Sequence, residues 1–167
     1  MFYKLAAFVS FLWRSTNQHG VHSPFVYQLV TKAFYNQKKV YASLDTHIVN
    51  FTKQLPLTAK KKRLIARVCQ HLNATKMTLV DANFNTQSTT TADVFFIPKN
   101  CPTATRKDFY TNINTLTHND TVLIIECNTI FEQFKNHPQA TVTIDTFAFG
   151  FVFFRREQQR EHFTIRL

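Results

Sequence analysis

The sequence predicts an α/β domain: a largely parallel sheet that finishes in an antiparallel hairpin, with helices ahead of it. Three observations carry this. Thr121-Val122-Leu123-Ile124-Ile125-Glu126 is a short, β-branched apolar run between polar residues, the pattern of a strand buried on both faces. Residues 128–136 place Ile130, Phe131 and Phe134 on one helical face, and Pro138 forbids the helix from continuing. Residues 141–145 alternate as a strand, Ala148-Phe149-Gly150 can turn, and residues 151–155 read as the hairpin partner.

The chain in order adds helices first. Lys4 precedes the apolar run from Leu5 to Trp13, which falls far below the ~20 residues of a membrane-spanning helix. No small-residue cleavage site follows, so the reading is a helix docked on the body and no transmembrane segment. Its flanking aromatics and basic charge leave a membrane-surface helix as the alternative. Ser23-Pro24 starts a second helix: Ser23 can accept from orphan N–H groups, and Pro24 has none to satisfy. Phe25, Val26, Leu29, Val30, Ala33 and Phe34 make its apolar stripe, ending near residue 35. His19 and His22 lack a third partner for a metal, and read as histidines of a cap-forming loop.

Residues 36–57 form a polar connector with a helix around 42–54, stopped by Pro56. Thr58 then opens an amphipathic helix with Leu64, Ile65, Val68, Cys69 and Leu72 inward. Lys60, Lys61, Lys62 and Arg63 stand in its first turns against the positive end of the helix dipole. That costs a few tenths of a kcal/mol each unless an anion sits there. The run is either a solvated face or a contact for a phosphate or an acidic partner. Strands follow at 77–81 and 93–97, but residues 82–92 barely offer the dozen that a parallel crossover needs. Either 83–91 is an extended loop across one sheet face, or the two strands pair differently. A crossover helix is expected over 106–116, with Phe109, Ile113 and Leu116 inward, a short surface helix over 156–161, and a packed end at 163–167.

Composition bounds the function. At 167 residues the chain fits one domain, able to bury roughly 70% of its unfolded surface. Two Gly in the whole chain exclude P-loop and GxGxxG phosphate cradles, which need several backbone positions without a Cβ. Cys69, Cys101 and Cys127 are odd in number and widely spaced, which argues against a disulfide scaffold or zinc finger. A reducing cytoplasm fits this usage, and no metal is expected. The net charge of +10 makes nucleic acid, acidic protein or a membrane surface plausible partners.

Both ends of the chain resemble one bacterial family. The segments are His19-Gly20-Val21-His22-Ser23-Pro24-Phe25, Lys135-Asn136-His137-Pro138, Val142-Thr143-Ile144-Asp145, Gly150-Phe151-Val152-Phe153-Phe154-Arg155 and His162-Phe163-Thr164-Ile165-Arg166. They look like the motifs of class I S-adenosylmethionine-dependent methyltransferases. The resemblance implies a truncated Rossmann-like sheet of about five strands, with N-terminal helices in 1–57 and the sheet in 58–167 as one compact unit. It also implies that the family's outer two strands are missing, which makes 77–81 an edge strand. Against the family's Glu-Leu-Gly-Thr-Ser-Leu-Gly-like loop, Leu79 takes the acidic position while Asp81 and Asn85 take the two Gly positions. Against Asp-Leu-Val-Phe-Ile-Asp-Gly-Asn-His, Pro98 replaces the functional Asp, Lys99 the Gly and Cys101 the His; Asn100 remains. Glu126 stands at the first of two acidic positions and Cys127 at the second, a poor magnesium pair. The strand whose acidic residue holds the ribose hydroxyls has no counterpart.

Three functional expectations follow. The first is a methyltransferase-like protein that has lost S-adenosylmethionine and catalysis, and binds a protein partner or a second copy, with the 77–81 edge strand as the pairing surface. The second is an active methyltransferase with an atypical or partner-completed site, where Asp81, Asn83, Asn85, Asn100 and Glu126 would contact the cofactor. The third is nucleic-acid binding by the basic surface, although no recognised module is present.

Overall fold

The computed structural model describes residues 2–36, 44–126 and 128–167. Six strands form one mixed sheet: β1 (Met77–Leu79), β2 (Val94–Ile97), β3 (Val122–Ile125), β4 (Val142–Asp145), β5 (Gly150–Phe153) and β6 (Glu161–Thr164). Their spatial order is β1-β2-β3-β5-β4-β6. β1, β2 and β3 pair in parallel, β5 runs antiparallel between β3 and β4, and β6 lies parallel to β4.

Alternation along the strands builds two layers on opposite faces. Val94, Phe96, Val122, Ile124, Phe151 and Phe153 point to one side, and bury the apolar faces of three helices. These are α2 (Pro24–Leu29), extended by a π-helical turn (Val30–Phe34), α3 (Thr46–Gln54) and α4 (Ala59–His71). Phe95, Ile97, Leu123, Ile125 and Val152 point to the other side. They pack under α5 (Thr103–Thr111), α6 (Ile113–Leu116) and α7 (Asn128–Lys135). β3 is therefore apolar throughout because both of its faces are covered, as the run 121–126 requires. α1 (Phe2–Arg14) docks at the end of the sheet through Phe11, which is 3% exposed.

The caps behave as the side chains dictate. Ser23 Oγ accepts from Val26 N–H with Pro24 in the first turn of α2, and Thr58 Oγ1 accepts from Lys61 N–H at the start of α4. Asp45 caps α3, so the helix expected over 42–54 begins at Thr46; residues 42 and 43 lie outside the described part.

The short 82–92 connection resolves as a helix-free loop. β1 pairs with β2 in parallel, Met77 opposite Val94, and β1 is an edge strand. Phe84 anchors the loop by packing on Phe95 and Phe109, and Thr86 Oγ1 donates to Asp108. Three expectations need correction. The helix over 106–116 is two helices, because Asn112 leaves helical backbone angles and donates its side-chain amide to Asp108 O. No helix forms over 156–161; the chain turns and Glu161 starts the sixth strand, Glu161 N–H donating to Thr141 O, so the sheet has one strand more than expected. Finally, the hairpin turn is not made by Gly150. Thr146 and Phe149 close it and Phe147 takes the left-handed conformation, φ 63°, while Gly150 is a strand residue. Glycine is needed there for space: an added Cβ would lie 2.1 Å from Phe131 Cδ2.

Candidate functional site

The parallel strands β1, β2 and β3 all end at the same side of the sheet, where ligands of open α/β sheets bind. Two backbone bonds continue the ladders to that side: Val80 N–H donates to Phe96 O, and Glu126 N–H donates to Ile97 O. The loops that follow therefore bring Asp81, Lys99, Asn100, Cys101 and Glu126 to one end of the sheet. α4 precedes β1 and runs back along it, so the N-terminus of α4 reaches the same place.

Glu126 is the centre of this end. Its side chain is only 11% exposed, and Lys61 Nζ donates to its Oε1 at 3.1 Å. Lys99 N–H donates to Oε2 at 3.5 Å. Lys61 Nζ also stands 5.1 Å from the centroid of the Phe149 ring. The Glu126 carboxylate is thus already bound by the protein's own groups.

The other residues named from sequence are spread along the loop after β1. Asp81 Oδ1 accepts from Asn83 N–H, and Asn85 Oδ1 accepts from Gln87 N–H. Both residues standing at glycine positions of the family pattern thus form their own local turns. Asn83, Asn85 and Asn100 are exposed, and Asp81 is half-buried. Cys101 is buried, and burial pushes its thiol up to about 11, with Arg106 opposing and Asp81 adding to the rise. A thiol so held is protonated at neutral pH and is no nucleophile. Cys127, expected beside Glu126, lies outside the described residues. Among the described residues no three His, Cys, Asp or Glu side chains converge as a metal site. His19 and His22 are both exposed, in the loop that Asn17 caps.

The basic run of α4 splits by helical periodicity. Lys61 turns to Glu126, and Lys62 Nζ donates to Lys53 O at the end of α3. Lys60, Arg63 and Arg67 line a cleft beside α1, which Lys61 also borders. Sequence reasoning marked the four cations and Glu126 separately and missed their pairing. The signal was present in the dipole argument, which asks for an anion at this helix start.

Comparison with protein-family models, with curated proteins and with solved structures gives no match. No helix among the described residues is long and apolar enough to cross a membrane.

Proposed function

We propose that this chain is a methyltransferase-like protein that binds a partner and no longer holds S-adenosylmethionine. The observation that carries the reading is the neutralised Glu126, closed by Lys61 and by Lys99 N–H at the carboxyl end of the sheet. Part of the strand order supports it: within β1-β2-β3-β5-β4-β6, the first five follow the order expected for the family's sheet without its two strands beyond β1, while β6 is an addition at the other edge. Those strands carry the adenosine-binding acid, so their absence and the tied Glu126 act in the same direction. The side-chain turns of Asp81 and Asn85 fill the loop where the family needs backbone without a Cβ.

Binding is supported by two surfaces. Among the described residues no strand lies beyond β1, which leaves an edge for a partner strand or a second copy to add. The charge of +10 favours an acidic partner. Calorimetric titration with S-adenosylmethionine tests the loss of cofactor, with no saturable heat expected; micromolar binding overturns it. Isolation of the untagged protein from its own cells tests the partner role, with a stoichiometric companion expected.

The competing reading, an active methyltransferase, draws on Asp81, Asn83 and Asn100 following β1 and β2 at the ligand-binding end. Methyl transfer by the pure protein in cell extract, abolished by Asp81→Ala, would establish it.

A further inference from the structure

A cavity lies at the same end of the sheet, beside the β4–β5 turn, and Lys61, the partner of Glu126, also lines it. It has a volume of about 1150 Å³, slightly above the ~300–1,000 Å³ typical of small-molecule sites. α1, the π-helical turn after α2, α4, the β4–β5 turn and the last two residues enclose it. Two hydrogen bonds fix its floor: Tyr35 Oη donates to Arg166 O, and Arg166 N–H donates to Thr16 O.

The lining has two chemistries. Lys60, Arg63, Arg67 and Arg166 supply positive charge along one wall, with Lys61 at its margin. Among the described residues no Asp or Glu side chain lines it. Phe8, Phe11, Phe34 and Phe147 supply aromatic surface, and Phe147 packs against Phe8 and Phe11 at ring distances of 5.0 and 5.3 Å. Arg67 adds an independent observation. Its Nη2 donates to Phe34 O, yet its Nε is buried with no hydrogen-bond partner. A buried donor left unmade costs on the order of 1–3 kcal/mol, which Arg67 carries beside this cleft. Lys60, Arg63, Arg67 and Arg166 gather like charge along the cleft, which an anion relieves.

We infer that this cleft is a binding site for a single-chain anionic amphiphile, a long-chain phosphate monoester or carboxylate. The charged head lies against Arg63, Arg67 and Arg166, and the chain lies against the Phe wall. A free inorganic anion leaves the aromatic wall wet, and an uncharged chain leaves the cations unpaired. Phe8 joins the cleft to the outer face of α1, where Leu5, Val9 and Trp13 are exposed. That face gives the chain a route from a bilayer as well as from free solution.

The test is calorimetry on the full chain with dodecyl phosphate below its micellar concentration, beside dodecanol and inorganic phosphate. One molecule of dodecyl phosphate per chain is expected, with each of the other two at least tenfold weaker. Arg63→Gln combined with Arg166→Gln removes two exposed cations, keeps the fold by circular dichroism, and weakens dodecyl phosphate at least tenfold. Equal binding of dodecanol, unchanged affinity in the double variant, or no saturable binding each overturns the site. Vesicles of phosphatidylglycerol separate the two sources. A blue shift of Trp13, the single tryptophan, marks uptake from a bilayer, and its absence alongside dodecyl phosphate binding marks uptake from solution.

Discussion

Lys61 Nζ and Glu126 Oε1 meet at 3.1 Å, joining the first turn of α4 to the end of β3 across 65 residues of chain. Glu126 is the more enclosed of the two, with 11% of its side chain exposed against 31% for Lys61. Removing the ammonium leaves a mostly buried carboxylate with only the Lys99 N–H, a loss of about 1–3 kcal/mol. Lys61→Met is therefore expected to lower the urea midpoint clearly. Lys60→Met, on the exposed side of the same turn, should stay within about 0.5 kcal/mol. Equal effects would show that the pair is a surface contact.

Opening that end is not expected to restore cofactor binding. On the proposed reading Lys61 is not the sole obstacle, since among the described residues no strand lies beyond β1. Lys61→Met titrated with S-adenosylmethionine should give the same absence of saturable heat as the parent protein. Micromolar binding by the variant would show that the lysine alone closes a working site.

Gly150 and Phe131 are packed so closely that a methyl group cannot enter between them. The Cβ of an alanine would sit 2.1 Å from Phe131 Cδ2 and 2.8 Å from Phe131 Cβ. Gly150→Ala should cost about 1–3 kcal/mol or more by displacing α7 from the sheet. Phe131→Leu, which removes the ring edge, should recover part of that loss in the double variant. An additive double variant would place the cost in the backbone of β5 instead.

Much of this fold was legible because its signals are local. The run from Val122 to Ile125 needs only its own composition to be read as a buried strand, and Ser23-Pro24 needs only a capping rule. Glu161 to Thr164 was not legible in the same way. Its residues alternate weakly and are half-exposed, and what makes them a strand is the edge of β4, a partner fixed by tertiary structure. Gly150 misled for a related reason: glycine usually marks a turn, but here Phe131 from another element demands it. At the site, residue types were readable and pairings were not. Lys61 and Glu126 lie far apart in sequence, and Arg67 and Arg166 come together only after β6 returns the chain beside β4.

Asp93 ties the start of β2 to the segment before β1. Its Oδ2 accepts from Thr75 N–H at 2.8 Å, Lys76 N–H at 2.9 Å and Thr75 Oγ1 at 3.0 Å, and Oδ1 meets His118 Nε2 at 3.1 Å. Burial pushes its carboxyl up, but these hydrogen bonds and His118 outweigh it and hold the group below the usual range. A depressed acid adds stability above its unfolded pKa of about 3.9, and loses it as pH falls through the lower folded value. Asp93→Ala should cost about 1–3 kcal/mol at pH 7, and the gap to the parent should narrow below about pH 4. Chemical denaturation at both pH values measures it; a gap independent of pH would assign the loss to packing.

Asp145 shows the opposite sign at the end of β4. It is 6% exposed, and its Oδ1 accepts from Phe147 N–H at 2.8 Å, which helps hold the turn that carries Phe147. Burial, joined by the negative charge of Glu132, raises its carboxyl above the usual value; the Phe147 N–H and the positive charge of Arg14 and Lys135 pull it down without cancelling the rise. An acid with a raised folded pKa binds more protons folded than unfolded, so stability falls as pH climbs from about 3.9 through the folded value. At pH 7 the full penalty is present, and below both values it is absent. Asparagine keeps an oxygen for the Phe147 N–H and carries no charge to desolvate. Asp145→Asn should therefore be at least as stable as the parent at pH 7, with its advantage shrinking as the pH is lowered towards 3.5. A variant less stable at pH 7 would mean that attraction to Arg14 and Lys135 exceeds the cost of burying the charge.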